Sequence, residues 1–138
     1  MTWLLYAFLS AAAAALTAIL AKIGVEGVPS ILATAVRTVV VLVFAWLLVV
    51  VANEQRAITA LSRRSLTFLV LSGLATGVSW LAYFRALQLA PASRVAPIDK
   101  LSLPLTVVLA VVWLGEPVRW RLALGVGLMT IGALLTLS

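Results

Sequence analysis

The chain has 138 residues, 64% of them hydrophobic and only 10% charged, with a mean hydropathy of +1.22. A soluble domain carries about 25% charged residues and about 45–50% apolar ones, so this much apolar surface needs lipid as its solvent, and a soluble enzyme is excluded. The formal charge of +6 would suggest nucleic acid in a soluble chain, but here the basic residues lie at or near the ends of apolar runs. No basic helix face or aromatic-interleaved basic strand is present, which argues against a nucleic-acid partner.

The sequence has no Cys and no His. No disulfide, thiolate nucleophile, soft-ligand metal site or imidazole proton relay is therefore expected, and no cofactor or catalytic group. The first apolar run offers small-residue cleavage sites at Ala11–Ala15. Met1-Thr2-Trp3 lacks the Lys or Arg of a signal n-region, and the run continues to Ala21, so it reads as a retained first helix.

A membrane crossing takes about 20 apolar residues. Hydropathy places five spans near 3–21, 30–52, 66–87, 93–114 and 121–137. Backbone groups in lipid must be satisfied within the segment, so each span is predicted to be a helix. The expected fold is an all-α integral membrane protein, a single five-helix domain over residues 1–138. Most of the intervening connections (22–29, 53–65, 88–92 and 115–120) are short, which makes successive helices antiparallel neighbours.

Taking the N-terminal side as A and the opposite side as B, Trp3, Trp113 and Trp120 fall near A, and Trp80 with Tyr83 near B. This is an interfacial aromatic belt. Side A receives Arg56, Arg63, Arg64, Arg119 and Arg121; side B receives Lys22, Arg37, Arg85, Arg94 and Lys100. The acids are even too, with Glu54 and Glu116 on A, and Glu26 and Asp99 on B. Counted this way the chain has no preferred orientation. Counting only residues outside the spans instead favours side A and a cytoplasmic N-terminus.

A charge near the middle of a membrane helix costs about 2.5–3.5 kcal/mol on insertion scales, so each deep charge needs a reason. In the second span, Ser30, Thr34, Arg37 and Thr38 recur at i, i+4, i+7 and i+8 on one face. Arg37 reads either as an anion or substrate contact or as a structural ion pair or snorkelling cation. In the fourth span, Asp99, Ser102 and Thr106 share a face, and Pro104 cannot donate to the Lys100 carbonyl. Pro97 adds a second predicted break one turn earlier. Interrupted helices mark transporter sites; the plainer alternative is a proline kink with an Asp99–Arg37 salt bridge. Asp99 is also the candidate for proton or cation coupling. Arg85 has the lipid-like neighbours Leu74, Val78 and Leu81 and reads as a snorkelling residue, and Lys22 as one that reaches water.

Small residues line one side of the first span (Ser10, Ala14, Thr17 and Ala21), Gly73 and Gly77 form a GxxxG pair in the third, and Gly125 and Gly132 lie a heptad apart in the fifth. Such faces suit close helix packing within one chain or between two.

The run Trp80-Leu81-Ala82-Tyr83-Phe84-Arg85-Ala86-Leu87, then Ala90-Pro91-Ala92-Ser93-Arg94-Val95-Ala96-Pro97, then Leu105–Leu114 with Gly115-Glu116-Pro117, and finally Gly125 to Gly132, resembles the EamA-type branch of the drug/metabolite transporter superfamily. Arg37 resembles the arginine typical of that family's second helix. The resemblance covers essentially the whole chain. It implies one five-helix repeat of a ten-helix inverted-repeat transporter, completed by an antiparallel second copy or by a homologous second half. It further implies alternating-access movement of a small metabolite across the cell inner membrane.

On this reading Arg37, Thr34, Trp80, Tyr83, Asp99 and Ser102 contact substrate, Asp99 carries any coupling, and Glu116 is a helix-end residue. The glycine spacing of the fifth span also looks like the dimerising helix of small multidrug resistance proteins. Their first helix carries an essential glutamate and this one has no acid, so their cation-exchange mechanism does not transfer. Two rival functions stay open: a dual-topology channel for a small anion, and a non-transporting membrane assembly subunit.

Overall fold

The computed structural model describes residues 2–137. Among them every regular element is helical: α1 (Thr2–Gly24), α2 (Ser30–Val51), α3 (Arg63–Leu89), α4 (Ala92–Asp99), α5 (Ser102–Leu114) and α6 (Trp120–Leu135), with a 3-10 turn over Gln55–Ala60. α1, α2, α3 and the combined α4–α5 segment, 23 residues over Ala92–Leu114, are long and apolar enough to cross a membrane, and α6 is a shorter apolar helix. The chain is a multi-pass membrane protein.

The helix ends follow from local chemistry. Pro29 at φ −55° and ψ 134° sets α2 going at Ser30, because its ring fixes φ and it has no N–H to lose. α2 stops where Asn53 adopts φ 57°, with Asn53 N–H donating to Val50 O at 3.1 Å and Glu54 N–H to Val49 O at 3.0 Å. This is a Schellman closure with asparagine in the usual glycine position. α3 begins three residues before hydropathy predicts. Ser62 Oγ accepts the Ser65 N–H at 3.0 Å, and that cap draws Arg63 and Arg64 into the first turn despite their unfavourable charge there. α6 ends two residues early: Thr136 turns its hydroxyl onto Ala133 O at 2.7 Å, and Leu137 N–H bonds Leu134 O at 3.1 Å, tightening the last turn.

The fourth span is interrupted, but not in the manner expected. Pro97 lies inside a continuous α4, so the predicted break there is absent. The discontinuity falls at Lys100–Leu101. Pro104 has no N–H for Lys100 O, and the Leu103 N–H takes that carbonyl instead at 3.0 Å, while Leu101 N–H bonds Ile98 O at 3.0 Å. The carbonyl expected to be freed is therefore satisfied by i+3 bonds, and the interruption is a 3-10 tightening.

The chain divides into two compact units, Leu20–Gln88 and Met1–Ile19 with Leu89–Ser138. In the first, Val25, Thr34, Phe84 and Leu87 are buried, all near the α1–α2 turn, the start of α2 and the end of α3. In the second, α6 packs against α4 and α5, with the small or branched side chains of Ala18, Val95 and Ala133 buried. Lipid is as apolar as leucine, so close van der Waals approach supplies the attraction at such contacts. A Cβ added at Gly73, Gly77, Gly125, Gly127 or Gly132 would meet nothing within 4 Å. The glycine faces singled out in the sequence are thus open surfaces.

Candidate functional site

The site begins with a cation in a membrane-length helix. Arg37 follows Ser30 by two turns, about 10 Å along the α2 axis, and its guanidinium lies 4.0 Å from the centre of the Trp80 ring. Phe84, one turn further along α3, has its ring 5.5 Å from the same carbon. Trp80 and Phe84 are four residues apart, so they present one face of α3. Together they set two aromatic rings against the cation, a contact that gains strength when desolvated. Among the described residues of 20–88, no carboxylate pairs with Arg37. The guanidinium carries five N–H donors in a fixed fork, which suits a planar anionic partner.

Thr34 is buried and donates its hydroxyl to Ser30 O at 2.8 Å, and Thr38 donates to Thr34 O at 2.8 Å. The hydroxyl stripe is thus satisfied by its own helix, with acceptor lone pairs left over. Tyr83 is half-buried, its ring 6.4 Å from that of Phe84 and tilted by 46°. The structure therefore brings Arg37 and Trp80 into contact, with Thr34 one turn before Arg37 on α2 and Tyr83 on the turn of α3 between Trp80 and Phe84.

Asp99 and Ser102 stand on either side of the α4–α5 discontinuity. Asp99 is paired with Lys100 at 3.2 Å. Ser102 O accepts the Thr106 hydroxyl at 2.8 Å, so the polar face of α5 is again bonded along its own helix.

Sequence reasoning missed Gln88. Its Nε2 donates to Val28 O at 2.6 Å, and its Oε1 accepts from Arg85 at 3.2 Å. One carboxamide thereby ties the end of α3 to the α1–α2 turn. Lys22, expected to reach water, donates to Leu87 O, offsetting the partial negative charge of the α3 terminus. A polar Gln among apolar residues at a span end was the available signal. Among the described residues, no group of three acidic side chains could hold a metal ion.

Membrane-length helices, one of them interrupted beside a charged pair, and a stacked arginine within another describe a multi-pass membrane transporter. The EamA-like transporter family model matches residues 1–138, and the chain belongs to that family. It is 48% identical over 134 residues to a Sinorhizobium sp. protein named "Uncharacterized transporter in cobO 3'region", covering 97% of this chain and 95% of that one. No solved structure matches significantly.

Proposed function

We propose that this protein is one five-helix half of an inner-membrane carrier that moves a small anionic metabolite by alternating access. The Arg37–Trp80 stack carries this reading. A guanidinium 4.0 Å over an indole is held in place while its donor edge suits a bidentate carboxylate or phosphate. Thr34 supplies a neighbouring hydroxyl acceptor, and Trp80 and Tyr83 shape the wall. Asp99 and Ser102 flank the α4–α5 tightening, where a small backbone change re-aims the half-helix, and Asp99 is the group for any proton coupling.

The functional unit is an antiparallel homodimer. Two observations support it: the even division of basic residues between the two membrane sides, and the glycine faces of α3 and α6, where an added Cβ meets nothing within 4 Å. Close helix approach from a second copy would use those faces.

The test is counterflow in proteoliposomes with labelled lactate, succinate and glutamate as probes. Arg37→Gln should abolish uptake of any probe the wild type carries, and Arg37→Lys should leave a weakened activity, because a point charge replaces a fork. Flux that survives Arg37→Gln unchanged would sink the assignment. Asp99→Asn should remove any dependence on an imposed pH gradient; a dual-topology anion channel would be indifferent to it, and an assembly subunit would show no flux in the wild type. Reporters fused singly to each terminus should find each on both sides of the membrane.

A further inference from the structure

A second polar concavity lies apart from the Arg37 stack, where the ends of three helices meet one turn. It measures about 520 Å³ and is lined by Lys22, Glu26, Gly27, Arg85 and Gln88 together with apolar residues of the α1–α2 turn and Leu87. That volume falls within the usual range for ligand sites, about 300–1,000 Å³. Lys22 stands in the last turn of α1, Pro29 caps α2, and Leu87 and Gln88 close α3. Ends of membrane-length helices lie at the level of lipid headgroups.

The cations of this concavity are positioned by hydrogen bonds. Arg85 donates to Gln88 Oε1 at 3.2 Å, and Gln88 is itself anchored to Val28 O at 2.6 Å. Lys22 is fixed on Leu87 O. The turn that carries Glu26 is shaped by Gly27 at φ 70°, a left-handed conformation that other residues rarely adopt. Two cations and one exposed carboxylate therefore share a single mouth.

We infer that this concavity binds the headgroup of a phospholipid carrying both a phosphate and an ammonium. Lys22 and Arg85 take the phosphate oxygens by charge-assisted hydrogen bonds, and Glu26 takes the ammonium. The carboxylate sets the selectivity. With Lys22 and Arg85 alone the site would favour a net-negative headgroup, and Glu26 shifts the preference towards a zwitterion by repelling a second negative charge.

The test uses the full-length protein, released from mixed bilayers and analysed by native mass spectrometry for retained lipid. The probes are phosphatidylethanolamine, phosphatidylglycerol, diacylglycerol and inorganic phosphate. The wild type should retain phosphatidylethanolamine over phosphatidylglycerol by about fivefold, the upper size of an exposed ion pair, and diacylglycerol not at all. Lys22→Gln combined with Arg85→Gln should lose both phospholipids. Glu26→Gln removes only an exposed carboxylate, so it keeps the test decisive if the double variant fails to fold, and it should bring phosphatidylglycerol level with phosphatidylethanolamine. A retention ratio unchanged by Glu26→Gln overturns the inference. Displacement of phosphatidylethanolamine by inorganic phosphate would assign the anion to a free source and overturn the lipid assignment.

Discussion

Replacing Trp80 by leucine removes the ring beneath Arg37 while keeping an apolar side chain on α3. The geometry sets the size of the effect. Arg37 and Trp80 are both half-buried, and the guanidinium carbon sits 4.0 Å from the ring centre. Cation–π pairs range from about 0.5–1 kcal/mol when exposed to about 2 kcal/mol when desolvated. The expected coupling is therefore about 1 kcal/mol, close to a fivefold change in the folding equilibrium. Phe84, at 5.5 Å, retains a smaller contact in the variant.

A double-mutant cycle isolates this term from the packing lost with the indole. Wild type, Arg37→Gln, Trp80→Leu and the double variant would be unfolded in mixed micelles by increasing denaturing detergent, followed by circular dichroism. The two single losses should exceed the double loss by about 1 kcal/mol. Additivity within about 0.3 kcal/mol would refute the stacking argument, and with it the claim that Trp80 holds the guanidinium for a ligand.

Other elements carry their own expectations. Asn53 stands in the left-handed region at φ 57°, so Asn53→Val should lower stability by about 1–2 kcal/mol and Asn53→Gly should not, as read from thermal unfolding in detergent. Ser62→Ala removes the α3 cap; it should cost about 1 kcal/mol and speed hydrogen exchange at the Ser65 amide. Pro104→Ala restores a donor for Lys100 O, so exchange at residues 100–105 should slow as α4 and α5 join. If the tightening serves transport, counterflow should slow as well, while exchange unchanged across the joint would remove the reason given for it.

The elements legible in the sequence were those written in long apolar runs or in proline. α2 begins at the predicted Ser30 because Pro29 allows little else, and the fourth span was recognisable as interrupted from Pro104. The kind of interruption was not legible. Whether Lys100 O is freed or taken by Leu103 depends on a small local backbone adjustment, which no residue type announces. The 3-10 turn over Gln55–Ala60 also escaped notice, since QRAITA carries no apolar period. In the site, Arg37 was legible because a charge in an apolar run is costly wherever it points. Trp80 was ambiguous between belt and wall, and only the 4.0 Å stacking distance ties it to Arg37. Gln88 was missed because the carbonyls that its Nε2 bonds belong to the α1–α2 turn, and every sequence has such carbonyls while none displays them.

The brevity of α6 reaches beyond the protein itself. Its 16 residues rise about 24 Å, against a hydrocarbon thickness of about 30 Å. If α6 crosses the bilayer as the five-helix reading proposes, tilting only shortens it further along the bilayer normal, so the deficit falls on the lipid. In that case the bilayer would thin beside α6, or Trp120 and Arg121 at its start would reach outward to the interface, at a fraction of a kcal/mol per ångström. On that reading the chain should be more stable in bilayers of shorter acyl chains, and membrane thickness would become a variable that α6 senses.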